Sequence, residues 1–118
     1  MTDAPLFIDP AAVARLRRIG GVKLARDLIT MYLELGPERI AALRVAVSND
    51  DAAGVERAAH TMKSTAGNLG AVQLQQTAQQ LETKASQGAI DGAVVQRLER
   101  EYEQAIAALG RILEELEA

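Results

Sequence analysis

Residues 91–117, DGAVVQRLEREYEQAIAALGRILEELE, carry apolar side chains at alternating steps of three and four residues. The positions with this spacing are Val95, Leu98, Tyr102, Ala105, Leu109, Ile112 and Leu116. An apolar repeat of about 3.5 residues is typical of helices that pack nearly parallel to one another. Asp91 precedes the repeat and can accept hydrogen bonds from free backbone N–H groups, so a helix is predicted over residues 91–117.

Similar apolar stripes occur along most of the preceding chain. They consist of Val13, Leu16 and Ile19; Leu24, Leu28, Met31, Leu35, Ile40, Leu43 and Val47; Val55, Ala59, Met62, Ala66 and Leu69; and Leu74, Ala78, Leu81 and Ala85. These stripes predict helices over about residues 10–19, 22–48, 51–69 and 71–87.

Turn and capping residues separate the stripes. Asp9-Pro10 favours a helix start, and Gly20-Gly21 favours the end of the short leading helix. Pro37 lies inside the second predicted helix and removes one backbone hydrogen bond, so that helix either kinks or breaks into two at this point.

Four long helices with short connections predict an all-α fold, an antiparallel up-down four-helix bundle with an additional short N-terminal helix. A chain of 118 residues suits a single domain over residues 1–118. A two-chain coiled coil competes for residues 91–117 because their repeat is so regular. We favour a monomer, since the other amphipathic helices also need a partner for their apolar faces.

The composition excludes several functional classes. Thirteen basic and 16 acidic residues give a formal net charge of −3, which leaves no extended cationic surface for nucleic acid or anionic lipid. The absence of cysteine excludes disulfides, zinc–thiolate sites and thiol nucleophiles. No run approaches the ~20 apolar residues of a membrane span, and the start, MTDAPLFIDP, does not resemble a signal peptide. We therefore expect a cytoplasmic protein with no nucleic-acid or membrane partner.

His60 is the one histidine of the sequence and lies within the predicted helix 51–69. At about 100° per residue, it points about 160° away from Met62 in the apolar stripe. The side chains within about 60° of it are Glu56, Arg57, Lys63, Ser64 and Gly67. We expect His60 on the solvent face, with Lys63 one turn away. Ser64 and Gly67, with Arg57 and Glu56, would form a docking groove there.

A purely structural interpretation of the same residues is also open. A lone surface histidine is often only a solvated side chain, and a neighbouring lysine is usually an ordinary exposed one. Gly67 costs the helix roughly 1 kcal/mol relative to alanine, so something must favour it. Either a partner protein or a neighbouring helix packs closely against it.

Residues 58–71, AAHTMKSTAGNLGA, resemble the histidine-containing phosphotransfer (HPt) family. The family signature places a lysine three residues after the histidine, then a small residue, and a glycine further along. The matching residues are His60, Lys63, Ser64 and Gly70, and Gly67, Asn68 and Leu69 match the common AGNLG ending. FIDPAAVARLRRIGG resembles the family's leading helix, YLELGPERIAALRVAV its long second helix, and LQQTAQQLETKA the helix that faces the histidine. The resemblance covers nearly the whole chain.

Two positions depart from the family pattern. Ser64 follows the lysine where most members have glycine, but serine is also small, so access to the histidine should survive. On the facing helix, many members place a glutamine near the phosphoryl site. The aligned residue here is Glu82, with Gln75 and Gln79 one or two turns earlier. A glutamine hydrogen bond to the imidazole or phosphoryl group is therefore left open.

The resemblance implies a phosphocarrier without kinase activity of its own. His60 would accept and donate a phosphoryl group, and Lys63 would offset its charge. The partners would be receiver domains of response regulators or of a hybrid histidine kinase, which supply the aspartate and a magnesium ion, so no cofactor is expected on this chain. No glycine-rich phosphate loop is present, which argues against a kinase. The alternative is a helical adaptor that binds partners without phosphorylation.

Overall fold

Helices make up nearly all of the computed structural model, which describes residues 7–118. Four helices follow one another: α1 (Pro10–Ser48), α2 (Ala52–Asn68), α3 (Val72–Ser86) and α4 (Gly92–Glu117). Residues 7–118 contain no strand. The all-α class predicted from the apolar periodicity is confirmed.

Aspartate side chains cap three of the four helices at their N-termini. Asp9 accepts a hydrogen bond from the backbone N–H of Ala11 at 2.9 Å, with Pro10 at the first helical position. Asp51 accepts from Gly54 at 3.0 Å in the same way. Asp91 accepts from two backbone N–H groups at the start of α4, at 3.0 and 3.3 Å. Each cap satisfies donors that the first helical turn leaves without an intrahelical partner.

Helix α1 changes direction at Gly20 and Gly21, whose backbone angles are not helical. Gly21 has a φ of 73°, in the left-handed region that glycine adopts with little strain. The sequence predicts two helices here, over residues 10–19 and 22–48, and the kink within α1 falls at the boundary between them. Pro37 does not break the helix, which stays helical through it. Gly36 and Ile40, on either side of Pro37, are both buried.

The helices enclose an aliphatic core. Helix α1 contacts α2 and α4, and α3 contacts the same two helices, so the four contacts close a ring. The largest fully buried side chains are Ile29, Leu43, Val55, Met62, Leu74, Leu81, Leu98 and Leu109. All four helices contribute side chains to this set, so the core forms only when the four helices pack together.

The buried face of α1 differs from the predicted one in its first half. The predicted stripe was Leu24, Leu28, Met31 and Leu35, but the buried residues are Ala25, Ile29, Tyr32 and Gly36. Met31 is 51% exposed and Leu35 is 36% exposed, and Ile19 of the leading segment is 71% exposed. The predicted buried face is therefore wrong here, because each buried residue follows a predicted one by one position in the chain.

Close approach of α1 to α4 explains this difference. The hydroxyl of Tyr102 on α4 occupies the space that a β-carbon at Gly36 would need. Gly36 therefore faces α4 where the two helices meet, on the same buried face as Ile29 and Tyr32, and Met31 and Leu35 lie on a neighbouring, exposed face. Leu28, Met31 and Leu35 line a surface groove of about 260 Å³ between α1 and α2.

Helix α4 uses its apolar seam within its own chain. Val95, Leu98, Tyr102, Ala105 and Leu109 are buried against α1 and α3, while Ile112 and Leu116 are partly buried. The residues whose regular spacing suggested a two-chain coiled coil thus pack against other helices of the same chain. Among the described helices, none is both long enough and apolar enough to cross a membrane.

Candidate functional site

His60 lies on the outer face of α2, opposite the residues that this helix buries. Those core residues are Val55, Ala59, Met62 and Ala66. The His60 side chain is 61% exposed. The sequence-based prediction of a solvent-facing histidine is confirmed, because the 3.6-residue period alone fixes which side of a helix points away from its apolar stripe.

A carboxylate on α3 joins His60 to Lys63. The Nδ1 atom of His60 lies 2.7 Å from Oε2 of Glu82, and the Nζ atom of Lys63 lies 2.6 Å from Oε1 of the same side chain. Lys63 also donates to Oε1 of Gln79 at 3.1 Å. The four side chains form one hydrogen-bonded group, which we call the His60–Glu82 cluster.

The connection between α2 and α3 sets the geometry of this cluster. Two of the contacting pairs are symmetric about Ala71: His60 and Glu82 each lie eleven positions from it, and Lys63 and Gln79 each lie eight positions from it. Pairs with this symmetry require two antiparallel helices joined by a short turn. Spacings of three residues on each helix, His60 to Lys63 and Gln79 to Glu82, then keep both pairs on one face.

The electrostatics of the cluster favour an ionised Glu82. The hydrogen bond from Lys63 lowers the pKa of Glu82 most, burial acts in the opposite direction, and the contact with His60 lowers it further. An ionised carboxylate can only accept hydrogen bonds. The hydrogen-bonding pattern therefore assigns the proton of the neutral His60 ring to Nδ1, which leaves Nε2 with a free lone pair.

The remaining predicted site residues take different positions. Glu56 and Arg57 line a shallow surface depression of about 520 Å³ together with His60, Thr61 and Glu82. Ser64 is exposed. Thr61 was not among the sequence candidates, although its place directly after His60 in the chain could have suggested it.

Gly67 and Gln75 pack against each other rather than against the His60–Glu82 cluster. The side chain of Gln75 lies over Gly67, with its Nε2 atom 2.6 Å from where a β-carbon would stand. This pair is symmetric about Ala71 as well, four residues away on each side. A side chain of the neighbouring helix therefore lies over Gly67, which favours close helix packing, one of the two explanations open from the sequence, and the part of Gly67 in a docking groove stays a prediction.

The cluster is suited to nucleophilic chemistry. Within residues 7–118, no group of three or more His, Asp or Glu side chains is arranged to hold a metal ion. An exposed imidazole nitrogen with a free lone pair can attack an electrophile carried by another protein. A fixed ammonium group three residues away can stabilise negative charge that arrives with it.

Comparison with known proteins links this arrangement to one family. A family model described as the Hpt domain matches residues 27–108. The structure resembles the crystal structure of histidine-containing phosphotransfer protein B (HptB) from Pseudomonas aeruginosa PAO1, with a TM-score of 0.88. That match has 23% sequence identity and covers 95% of this chain and 98% of the other. At this level of sequence identity, the match supports a similar fold. A search of curated proteins found no match.

Proposed function

Because the chain belongs to the Hpt domain family, we propose that it carries a phosphoryl group on His60 between receiver-domain aspartates in a phosphorelay. The observation that supports this most is the exposed His60 ring, whose Nδ1 is engaged by Glu82 and whose Nε2 is left for the phosphoryl group. The partners would be receiver domains of response regulators or of a hybrid histidine kinase.

The accepting step needs little from this chain beyond a positioned nucleophile. The lone pair of Nε2 attacks the phosphorus of a receiver aspartyl phosphate, and a P–N bond forms. The P–O bond to the aspartate breaks, and its electron pair stays on the aspartate oxygen. The receiver supplies the aspartate and its magnesium ion, so this chain needs neither a cofactor nor a kinase activity of its own.

Lys63 would supply the positive charge beside the phosphoryl group. Its ammonium has three donors, and Glu82 and Gln79 occupy two of them. The third donor is left for a phosphoryl oxygen, so Lys63 can contact the group without leaving the cluster. Such charge stabilisation by a fixed cation is a large part of phosphoryl-transfer catalysis.

The receiver would dock over the exposed side of α2. Glu56, Arg57 and Thr61 surround His60 there, and Ser64 lies one turn further along. Small or short side chains at Thr61 and Ser64 leave room for a receiver active site to close over the ring. We also propose that the chain acts as a cytoplasmic monomer.

We also propose that the four helices run alternately up and down within a single domain. The segment before Gly20 would be a short leading helix. Short connections between consecutive helices support this order. The register of α2 and α3 about Ala71 supports the antiparallel direction of that pair.

A His60→Gln variant tests the proposal directly. The exposed position predicts that the variant folds like the parent, as judged by its far-UV circular dichroism and denaturation midpoint. The parent should gain acid-labile, base-stable phosphate from a phosphorylated receiver, and the variant should gain none. Phosphate on the variant would exclude His60 as the acceptor. A parent that binds receivers yet gains no phosphate would instead support the helical adaptor.

A further inference from the structure

Arg57 and Lys63 lie on opposite sides of His60 on α2. Each is three residues from the histidine, and at about 100° per residue they diverge from it by about 60° in opposite directions. Lys63 lies on the α3 side, where it donates to Glu82 and Gln79. Arg57 lies on the α1 side, because it lines a groove of about 490 Å³ between α1 and the first half of α2. His60 thus stands between two cations.

The His60 ring turns its reactive nitrogen away from α3. Nδ1 is directed towards α3, since it lies 2.7 Å from Oε2 of Glu82. In a planar imidazole the lone pair at Nε2 diverges widely from the N–H bond at Nδ1, so it points to the other side. The shallow depression around the ring is also lined by Glu56, Arg57, Thr61 and Glu82, and Arg57 is the one cation among these side chains. A phosphoryl group on Nε2 would therefore form on the Arg57 side.

The charges around His60 leave Arg57 available for this group. Lys63 is paired with Glu82 at 2.6 Å, so their charges cancel. A phosphoryl group brings about two negative charges near neutral pH, and attack by Nε2 leaves a positive charge on the ring while Nδ1 keeps its proton, so about one negative charge is left over. Within residues 7–118, the exposed Arg57 guanidinium forms no ion pair. It can therefore offset the charge that is left over.

We propose that Arg57 binds the phosphoryl group on His60 as a second cation, on the side opposite Lys63. Residues three apart on a helix are close enough for this contact. A guanidinium donates two parallel hydrogen bonds to phosphoryl oxygens, a geometry that the ammonium group of lysine lacks. The phosphoryl group has three terminal oxygens, so both cations contact it at once. This inference rests on the proposed function of His60, and it makes Arg57 a catalytic residue for phosphoryl transfer.

Arg57→Gln tests this contact, because it removes the charge from an exposed position and leaves the core intact. The probe is phosphoramidate, a small phosphodonor that forms no protein interface. Nε2 of His60 attacks its phosphorus, the P–N bond of the donor breaks, and ammonia leaves after taking up a proton from water. We expect the initial rate of phosphohistidine formation to fall about tenfold, as for the loss of a charge-assisted hydrogen bond. Transfer from a phosphorylated receiver should slow by at least as much.

Arg57→Lys and Arg39→Gln are the matched controls. Arg57→Lys keeps the charge but loses the paired hydrogen bonds, so its rate should lie between those of Arg57→Gln and the parent. Arg39 lines the same groove between α1 and α2 but not the depression around His60. Arg39→Gln therefore removes an equal charge nearby and should react with phosphoramidate at the parent's rate. Far-UV circular dichroism checks that all three variants are helical.

The outcomes separate this inference from the proposed function. If Arg57→Gln reacts with phosphoramidate at the parent's rate, the role of Arg57 is wrong and the function of His60 stands, even where the receiver reaction slows through weaker docking. The same conclusion follows if Arg39→Gln slows the phosphoramidate reaction as much as Arg57→Gln. If the parent gains phosphate from phosphoramidate but none from receivers, the proposed function is wrong, and the phosphoramidate rates still decide the role of Arg57.

Discussion

Lys63 is the residue whose contacts most clearly distinguish the proposed phosphoryl site from an ordinary polar surface. Its ammonium donates to Glu82 and Gln79 on the facing helix, and is therefore held in place three residues from His60. Truncation of this side chain removes a charge that matters more in the transition state than in docking. We predict that Lys63→Ala slows transfer about tenfold in both directions and leaves receiver affinity nearly unchanged. Rapid-quench transfer rates and a binding titration measure the two effects.

Lys84→Ala is the matched control at the residue scale. Lys84 also pairs with a carboxylate, Asp91 at 2.8 Å at the start of α4, and lies outside the His60–Glu82 cluster. An exposed pair of this kind contributes little to stability. Transfer rates of this variant should match the parent. Equal rates for Lys63→Ala and the parent would remove Lys63 from the mechanism.

Helix α1 provides a test at the scale of the element, because neighbouring apolar residues on it have different environments. Ile29 is fully buried, whereas Met31 is half exposed beside the surface groove. We predict that Ile29→Ala lowers the free energy of unfolding by about 2–5 kcal/mol, through lost apolar contacts and the cavity left behind. Met31→Ala should lower it by less than about 1 kcal/mol. Urea denaturation of both variants measures the difference.

If Met31→Ala lowered the free energy of unfolding more than Ile29→Ala, the face predicted from the sequence would be the buried one, with Leu28, Met31 and Leu35 towards the core. This result would also contradict the close approach of Gly36 to Tyr102. Because both substitutions place alanine in the same helix, helix propensity contributes little to the comparison. The difference in unfolding free energy therefore reports which face of α1 is buried.

The packing of α1 on α4 predicts how the whole molecule responds to alkaline pH. Tyr32 and Tyr102 are the two tyrosines of the chain, and their ring centroids lie 6.3 Å apart across this interface. Burial raises the pKa of both hydroxyls above the ordinary value of about 10. The folded state therefore keeps both protons where the unfolded chain loses them, and stability falls as the pH rises past the pKa of the unfolded chain.

We expect the tyrosinate absorbance to appear together with the loss of helical circular dichroism, rather than before it. The chain contains no tryptophan, so this absorbance band reports the two tyrosines alone. Tyr32→Phe should halve the signal and leave Tyr102 as the reporter. Ionisation of both tyrosines near their ordinary pKa, with the helical signal intact, would show that the α1–α4 interface is open to water.

The sequence by itself determined those features that depend on near neighbours along the chain. Asp9 and Asp91 mark helix starts, because a cap needs only its own carboxylate and the next few N–H groups. The α4 repeat indicates its buried seam, and the position of His60 relative to Met62 indicates the solvent face of α2. These results follow from the helical period, which is the same in every α-helix.

Only the tertiary structure decided which side chains meet across helices. It buried Gly36 in place of Leu35, because the hydroxyl of Tyr102 on α4 approaches α1 closely at Gly36. It also brought Glu82 to His60 and Lys63, since this contact requires two helices to be antiparallel and in register about Ala71. A helical period fixes the direction of a side chain around its own axis, but the register and spacing between helices depend on the packing of all of them together.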